Sequence, residues 1–425
     1  MVANQKVIYV YDDFSFEEPV LLGRLYVDAM RGGESFSFEY ELQWLAKTMF
    51  PIDIDPELPT FGGRQYSIGK CIFGVFADAS PDRWGRVLMN KWERILAEKE
   101  GRKPRKLLDS DYLMGVYDKT RMGGIRFKLD LDEPFLSTDK DTAVPPWTTL
   151  RTLEEASRHF ENDETGLAEK WLNQLIKSGS SLGGARPKAT VVDMKNQLWI
   201  AKFPSKHDEN DTGAWEMVVH DLAGLCGLNI PEAKIEKFSK LGSTFLVKRF
   251  DRDGVKRIHF SSAMTLLGKT DGADASEGTS YLDIASFIKA SGARPKEDLV
   301  ELWKRMMFNM AVTNTDDHLR NHAFLFTKAG WVLSPLYDVN PVPYGDELSL
   351  NVDEEDNRIS LELAMSVAPR FGINEKKASE YAGQILLTVR EHWIPLAKKY
   401  GLSRGQIETM RPAFGLHESD KDMEF

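Results

Sequence analysis

Asn314-Thr315-Asp316-Asp317-His318-Leu319-Arg320-Asn321 is followed, seventeen residues later, by the aspartate of Leu336-Tyr337-Asp338-Val339-Asn340. Asp316 stands five positions ahead of Asn321. A carboxylate that orients or deprotonates a hydroxyl, an asparagine at the fifth position after it and a second carboxylate downstream form the set with which phosphoryl-transfer enzymes place a base beside two magnesium ligands. The residue types suit that chemistry, since a carboxylate can take a proton and magnesium prefers an octahedral shell of hard oxygens. The same string would also serve as a polar turn capping two helices, because Asp and Asn are frequent in turns. Its weight therefore depends on what precedes it.

Upstream, residues 178–188 read Ser178-Gly179-Ser180-Ser181-Leu182-Gly183-Gly184-Ala185-Arg186-Pro187-Lys188. Such a glycine-rich loop can bring backbone N–H groups close to phosphate oxygens. It is not a Walker motif, since no Gly-Lys-Ser or Gly-Lys-Thr closes it. Two strand-like runs follow at 188–193 and 198–203, with Lys202 near the end of the second. A helix carrying Trp215, Val218, Val219, Leu222 and Leu225 comes next, with Glu216 near its start, and then further strands at 233–238 and 244–250. From Tyr281 onward the pattern is mainly helical, broken at 314–321 and 334–344. A kinase needs a strand lysine on the nucleotide phosphates and a helix glutamate paired with it. Taken singly, the loop reads as a flexible connection, Lys202 as an exposed strand end and Glu216 as a solvated first-turn acid favoured by the helix dipole. Taken in order with Asp316, Asn321 and Asp338, they are the parts of a kinase chain. The second copy of Gly-Ala-Arg-Pro-Lys, at 292–296, reads as an interhelix loop.

His318 and His322 are four apart and could share one helix face as metal ligands. With Asp316, Asp317 and Asp338 they support a metal-dependent hydrolase as the alternative. That alternative leaves Asn321 and the glycine-rich loop without a role, and it lacks the glutamate of the usual zinc-protease pattern. His318 is expected to brace the loop by hydrogen bonds and His322 to be packed.

Ahead of these parts, residues 7–11, 21–27 and 35–41 alternate apolar and polar, with Arg31-Gly32-Gly33-Glu34 as a turn, so a hairpin is expected. Ser80-Pro81-Asp82 opens a helix that runs to Gly101, with Ser80 as its cap and Pro81 at the first helical position. Residues 130–147, acidic and proline-containing, read as a linker, and 152–176 read as a helix. The whole chain has 425 residues, 42% hydrophobic and 28% charged, enough for two or three domains. With 55 Lys and Arg against 65 Asp and Glu, the formal charge is -10, which argues against broad attraction to nucleic acid or anionic lipid. No apolar run approaches the ~20 residues of a membrane helix. Cys71 and Cys226 lie far apart without metal-type spacing, and a reducing cytoplasm is the expected compartment.

These residues resemble the HipA-type serine/threonine kinases of bacterial toxin–antitoxin systems. The resemblance rests on Ser181-Leu182-Gly183-Gly184-Ala185-Arg186-Pro187-Lys188, Trp199-Ile200-Ala201-Lys202-Phe203-Pro204, Val247-Lys248-Arg249-Phe250-Asp251-Arg252, the 315–321 string, and Ser334-Pro335-Leu336-Tyr337-Asp338. It reaches the N-terminal part through Phe76-Ala77-Asp78-Ala79-Ser80-Pro81-Asp82-Arg83-Trp84-Gly85-Arg86. The resemblance implies an α+β chain in which a small α+β N-terminal domain (1–130) and a linker (131–150) precede a bilobal kinase-like core. That core has a small mixed β lobe at 151–253 and a helical lobe at 254–425. It implies ATP and magnesium as cofactors, Asp316 as base with His318 beside it, and Asn321 and Asp338 on the metal. Lys202 contacts ATP phosphates, with Ser181, Leu182, Gly183, Gly184, Lys188 and Glu216 about the nucleotide. Val247, Lys248 and Phe250 form the adenine hinge; Lys248 stands where a glutamate can occur in the family. It further implies inactivating autophosphorylation at Ser181, with Ser178 and Ser180 as competitors. The implied protein substrate is translation-related, such as an aminoacyl-tRNA synthetase. The implied partner is a small DNA-binding antitoxin through which alone DNA is reached, and no membrane is involved. A kinase-shaped module that only binds an antitoxin is the remaining class, disfavoured by the intact Lys202, Asp316, Asn321 and Asp338.

Overall fold

Alternation of apolar residues along three long strands builds the first sheet. The computed structural model describes residues 5–47, 53–136, 144–162, 172, 175–176, 184 and 186–416. Strands β1 (Lys6–Asp12), β2 (Val20–Met30), β3 (Gly33–Tyr40), β4 (Arg64–Tyr66) and β5 (Ile125–Lys128) form an antiparallel sheet in the order β4-β3-β2-β1-β5. Ile8, Val10, Leu25, Val27, Phe36 and Phe38 fall on its buried face and pack with Phe73, Val75 and Phe76. The β2–β3 hairpin closes Met30 onto Gly33, and Gly32 at φ +90° takes the left-handed turn position that a side chain resists.

Helix α1 (Arg83–Lys99) follows the expected span, but its cap is Asp82, whose carboxylate accepts from Gly85 N at 2.8 Å. Ser80, expected as the cap, instead donates to Phe76 O at 2.8 Å, which closes the preceding helical turn and leaves Pro81 outside α1. Helix α2 (Leu150–Glu161) covers the first part of the expected 152–176 helix; most of the remainder lies outside the described residues, and residues 172, 175 and 176 are helical. Asn162 is the C-cap of α2.

Two compact units divide the chain, one comprising Met1–Lys206 with Lys248–Ser261, the other His207–Val247 with Ser262–Phe425. In the first unit, β6 (Lys188–Val192) and β7 (Leu198–Lys202) form a hairpin with Thr190 opposite Ile200 and Lys188 opposite Lys202. Its turn is organised by Asp193, which accepts from Lys195 N, Gln197 N and Trp199 Nε1. Segment 249–252 is anchored in the same unit: Arg249 N donates to Leu198 O, and the Arg249 guanidinium donates to Asp251 at 2.8 and 2.6 Å. Asp251 also accepts from Gly123 N at 2.9 Å, and the Arg252 guanidinium reaches Arg121 O at 2.7 Å. The Arg249 and Asp251 side chains are fully buried.

In the second unit, α3 (Thr212–Leu225) is capped by Asp211, and β8 (Ala233–Glu236) pairs antiparallel with β9 (Thr244–Lys248). Helices α4 (Tyr281–Ser291) and α5 (Pro295–Ala311) are joined by the second Gly-Ala-Arg-Pro-Lys string, whose Pro295 begins α5. Trp303 on α5 is buried, and its Nε1 donates to Ala364 O. A hairpin of β10 (Ala323–Thr327) and β11 (Gly330–Leu333) interrupts the region read as mainly helical. Its strands are only five and four residues long, too short for a period-2 pattern to stand out between long helices. Helix α6 (Glu375–Lys399) lies near the end of the chain. The fold is α+β, and among the described residues no helix is long and apolar enough to cross a membrane.

Candidate active site

Helix α5 delivers the loop that carries Asp316. Val312 is the C-cap of the helix, and Thr313 takes φ +49°, a left-handed conformation costly for a β-branched residue. Thr313 Oγ1 donates to Ala413 O at 2.8 Å, and Asn314 N donates to Asn309 O at 2.8 Å, which turns the chain off the helix. Gly345 lies against this turn: a Cβ there would come within 2.2 Å of the Thr315 methyl.

The loop is then closed on itself. His318 N donates to Asp316 O at 3.0 Å, Asn321 N to His318 O at 2.8 Å, and Asn321 Nδ2 to Asp316 O at 2.9 Å. With Nδ2 committed inward, Asn321 Oδ1 is left as a buried acceptor with no hydrogen-bond partner. An orphaned carbonyl oxygen of this kind suits a hard cation. Asp316, by contrast, has a side chain 80% exposed.

Asp317 is the structural member of the pair. Fully buried, it accepts from Tyr281 Oη, from Asn309 Nδ2 at 2.6 Å and from His322 Nε2 at 2.9 Å. Burial pushes its carboxyl up, but His322 and these hydrogen bonds prevail and hold it below the usual carboxylate range. His322 is buried and supplies the side-chain bond to Asp317. The His318 ring lies 4.0 Å from Asp316 Oδ1, beyond hydrogen-bond range, and His318 braces the loop through its backbone bonds to Asp316 O and Asn321 N. Neither Tyr281 nor Asn309 carries a signal in the sequence.

Asp338 adopts φ +59°, left-handed for a residue with a Cβ. Around it, Leu336 N donates to Asn229 O, Tyr337 Oη to Arg320 O at 2.6 Å, Asn340 N to Asn314 Oδ1 at 3.2 Å and Val342 N to Thr313 O at 3.0 Å. The orphaned Asn321 Oδ1 and the Asp338 carboxylate are both hard oxygen donors, the type that magnesium takes. Among the described residues no group of three or more His, Cys, Asp or Glu could hold a metal, so Asp316, His318 and Asp338 do not make the ligand cluster of a hydrolase.

Glu216, one turn into α3, is buried, which rules out its description as a solvated first-turn acid. In the other unit, Lys202 ends β7 directly across from Lys188, so both side chains share one face of the hairpin. Lys188 is almost fully buried. Its ammonium lies 3.1 Å from the equally buried Asp82 carboxylate and 3.4 Å from Gly184 O. The aspartate that caps α1 thereby ties the N-terminal part to the strand that leaves the glycine-rich loop. Gly184 has φ +96°. Phe250 lies 6.4 Å from the Phe260 ring, Lys248 is half-buried, and Val247 is buried at the end of β9. Ser178, Ser180, Ser181, Leu182 and Gly183 lie outside the described residues.

Residues 180–393, just over half of the chain, match the model of the HipA-like C-terminal domain, and the chain belongs to that family. It is 32% identical over 222 residues to Y4mE of Sinorhizobium fredii, covering 47% of this chain and 48% of that protein. It is 24% identical over 245 residues to the serine/threonine-protein kinase toxin HipA of Shewanella oneidensis, covering 50% and 55%. The chain spans about half the length of the curated relatives it matches. A chain of the solved Shewanella oneidensis HipA, HipB and operator DNA complex superposes with a TM-score of 0.68 at 17% identity, over 98% of this chain and 100% of that one. The fold is accordingly the kinase-like α+β fold of HipA.

Proposed function

We propose that the chain is an ATP-dependent serine/threonine protein kinase of the HipA toxin type. The observation that carries this reading is the buried, unpartnered Asn321 Oδ1, fixed five positions after an exposed Asp316 in a loop braced by Asp317 and His322. Asp316 takes the proton of the attacking hydroxyl. Asn321 and Asp338 hold magnesium, which when bound offsets charge on the phosphate oxygens. Lys202 holds nucleotide phosphates, with Glu216, Lys188, Gly184 and the Ser181-Leu182-Gly183 string contributing to the nucleotide site. Val247, Lys248 and Phe250 face adenine. The domains run 1–130, 151–253 and 254–425, joined by a 131–150 linker.

Family membership supports, as further parts of the proposal, a translation-related protein substrate such as an aminoacyl-tRNA synthetase and a small DNA-binding antitoxin as partner, in the cytoplasm. A formal charge of -10 suits a protein that reaches DNA only through such a partner. Activity is limited by autophosphorylation on Ser181, or on Ser180. A phosphate there adds about -1.5 to -2 charge and either repels the nucleotide phosphates or draws the loop toward a cation elsewhere. Incubation with magnesium and ATP, followed by mass spectrometry, is expected to find phosphate on one of these serines in the native chain and not in Asp316→Asn protein. Unmodified serines in protein that phosphorylates another polypeptide would remove the self-inhibition.

A further inference from the structure

Asp338 keeps a left-handed backbone, a conformation that persists in a residue with a Cβ only where its surroundings over-determine it. Here both flanks are pinned, and to opposite ends of one loop. On the N-terminal side, Tyr337 Oη donates 2.6 Å to the carbonyl of Arg320, the residue immediately before Asn321. On the C-terminal side, Asn340 N donates to Asn314 Oδ1 at 3.2 Å and Val342 N to Thr313 O at 3.0 Å, just ahead of Asp316. Asn314 is itself buried and oriented, because its Nδ2 donates 3.1 Å to Asn309 Oδ1 while Asn309 Nδ2 donates 2.6 Å to Asp317. The path from Asp338 to the buried Asp317–His322 pair therefore runs through side-chain amides with fixed donor and acceptor ends. Tyr337 and Asn314 act here through the bonds just described. They hold the backbone that carries Asp338 against the backbone that carries Asn321.

We propose that Tyr337 and Asn314 are positioning residues that set the separation of Asn321 Oδ1 and the Asp338 carboxylate, and through it the affinity of the site for a hard divalent cation. This rests on the assignment of Asn321 and Asp338 as magnesium ligands. Small divalent ions demand near-ideal oxygen geometry, so a shift of a few tenths of an ångström in one ligand loop weakens binding without removing a ligand.

The test uses manganese as the probe, with the full chain and the non-hydrolysable ATP analogue adenylyl imidodiphosphate, reading free ion by electron paramagnetic resonance. Tyr337→Phe, which removes one hydroxyl and keeps the ring, and Asn314→Ala are each expected to raise the apparent manganese Kd about 5- to 10-fold, the scale of one lost hydrogen bond. Affinity for the analogue measured by calorimetry in EDTA should stay at the native value. Native-like manganese affinity in Tyr337→Phe would overturn the proposal, as would an equal loss of metal-free nucleotide affinity, the mark of a general structural defect. If Asn314→Ala fails to fold, Tyr337→Phe decides alone. A native chain that retains no more manganese than the analogue by itself overturns the ligand assignment, and the proposal with it.

Discussion

Asp316→Asn protein is expected to fold and to bind nucleotide as the native chain does, while phosphotransfer falls by about 10²- to 10⁴-fold, the usual loss when a general acid–base group is removed. The separation of effects follows from the loop's construction. Asp316 exposes 80% of its side chain, and the parts that hold the loop are elsewhere. Its own carbonyl receives Asn321 Nδ2 and His318 N, and both bonds survive the substitution. The neighbouring carboxylate, Asp317, keeps Tyr281, Asn309 and His322 in place. Single-turnover rates with magnesium and ATP, alongside calorimetry of nucleotide binding, check both halves. A native rate in the variant would move proton removal to another group.

Asp251→Ala carries the largest expected cost to stability. The substitution leaves the guanidinium of Arg249 buried without its carboxylate, strips Arg252 of its nearest anion and orphans Gly123 N. Removing one partner of such a buried pair typically costs ~3–5 kcal/mol, and denaturant unfolding of the full chain measures it. The effect should depend on pH. Burial pushes the Asp251 carboxyl up, but Arg249 and Arg252 outweigh burial and hold it far below the usual carboxylate range. A group depressed in the folded state contributes fully above its unfolded pKa, about 3.9 for aspartate, and loses that contribution as pH falls toward the folded value. The native chain should accordingly lose stability below about pH 4, while Asp251→Ala protein, lacking this carboxyl, loses less over the same range. Parallel curves for the two proteins would show that the ion pairs contribute nothing to acid sensitivity.

What is legible in the sequence is local. Residues 188–193 and 198–203 can be read as strands because a run of apolar residues on each side flanks the Asp193-to-Gln197 turn, and the structure pairs Lys188–Val192 with Leu198–Lys202. Asp316, Asn321 and Asp338 stand out because their spacing is itself the signal. Their supports do not. Tyr281 and Asn309 sit on α4 and α5, carry no motif, and reach Asp317 only through helix packing. His322 is expected to be packed and is buried, but its bond to Asp317 is hidden for the same reason. Asp82 reads as a residue inside the first helical turn because Ser80 and Asp82 are both competent caps, and the choice is made by Ser80 bonding backward to Phe76. The β10–β11 hairpin escapes the sequence reading because two such short strands fall below the length at which alternation can be told from a helix edge.

The proposed reaction is transfer of the γ-phosphoryl group of ATP to a protein hydroxyl by the loop that holds Asp316 and Asn321. The native chain, incubated with γ-labelled ATP, magnesium and a bacterial protein extract, should place label on serine or threonine of one or a few polypeptides. Neither EDTA-treated samples nor Asp316→Asn protein should do so above the residual rate. Label released only as inorganic phosphate, or the same labelling by native and Asp316→Asn protein, would contradict it.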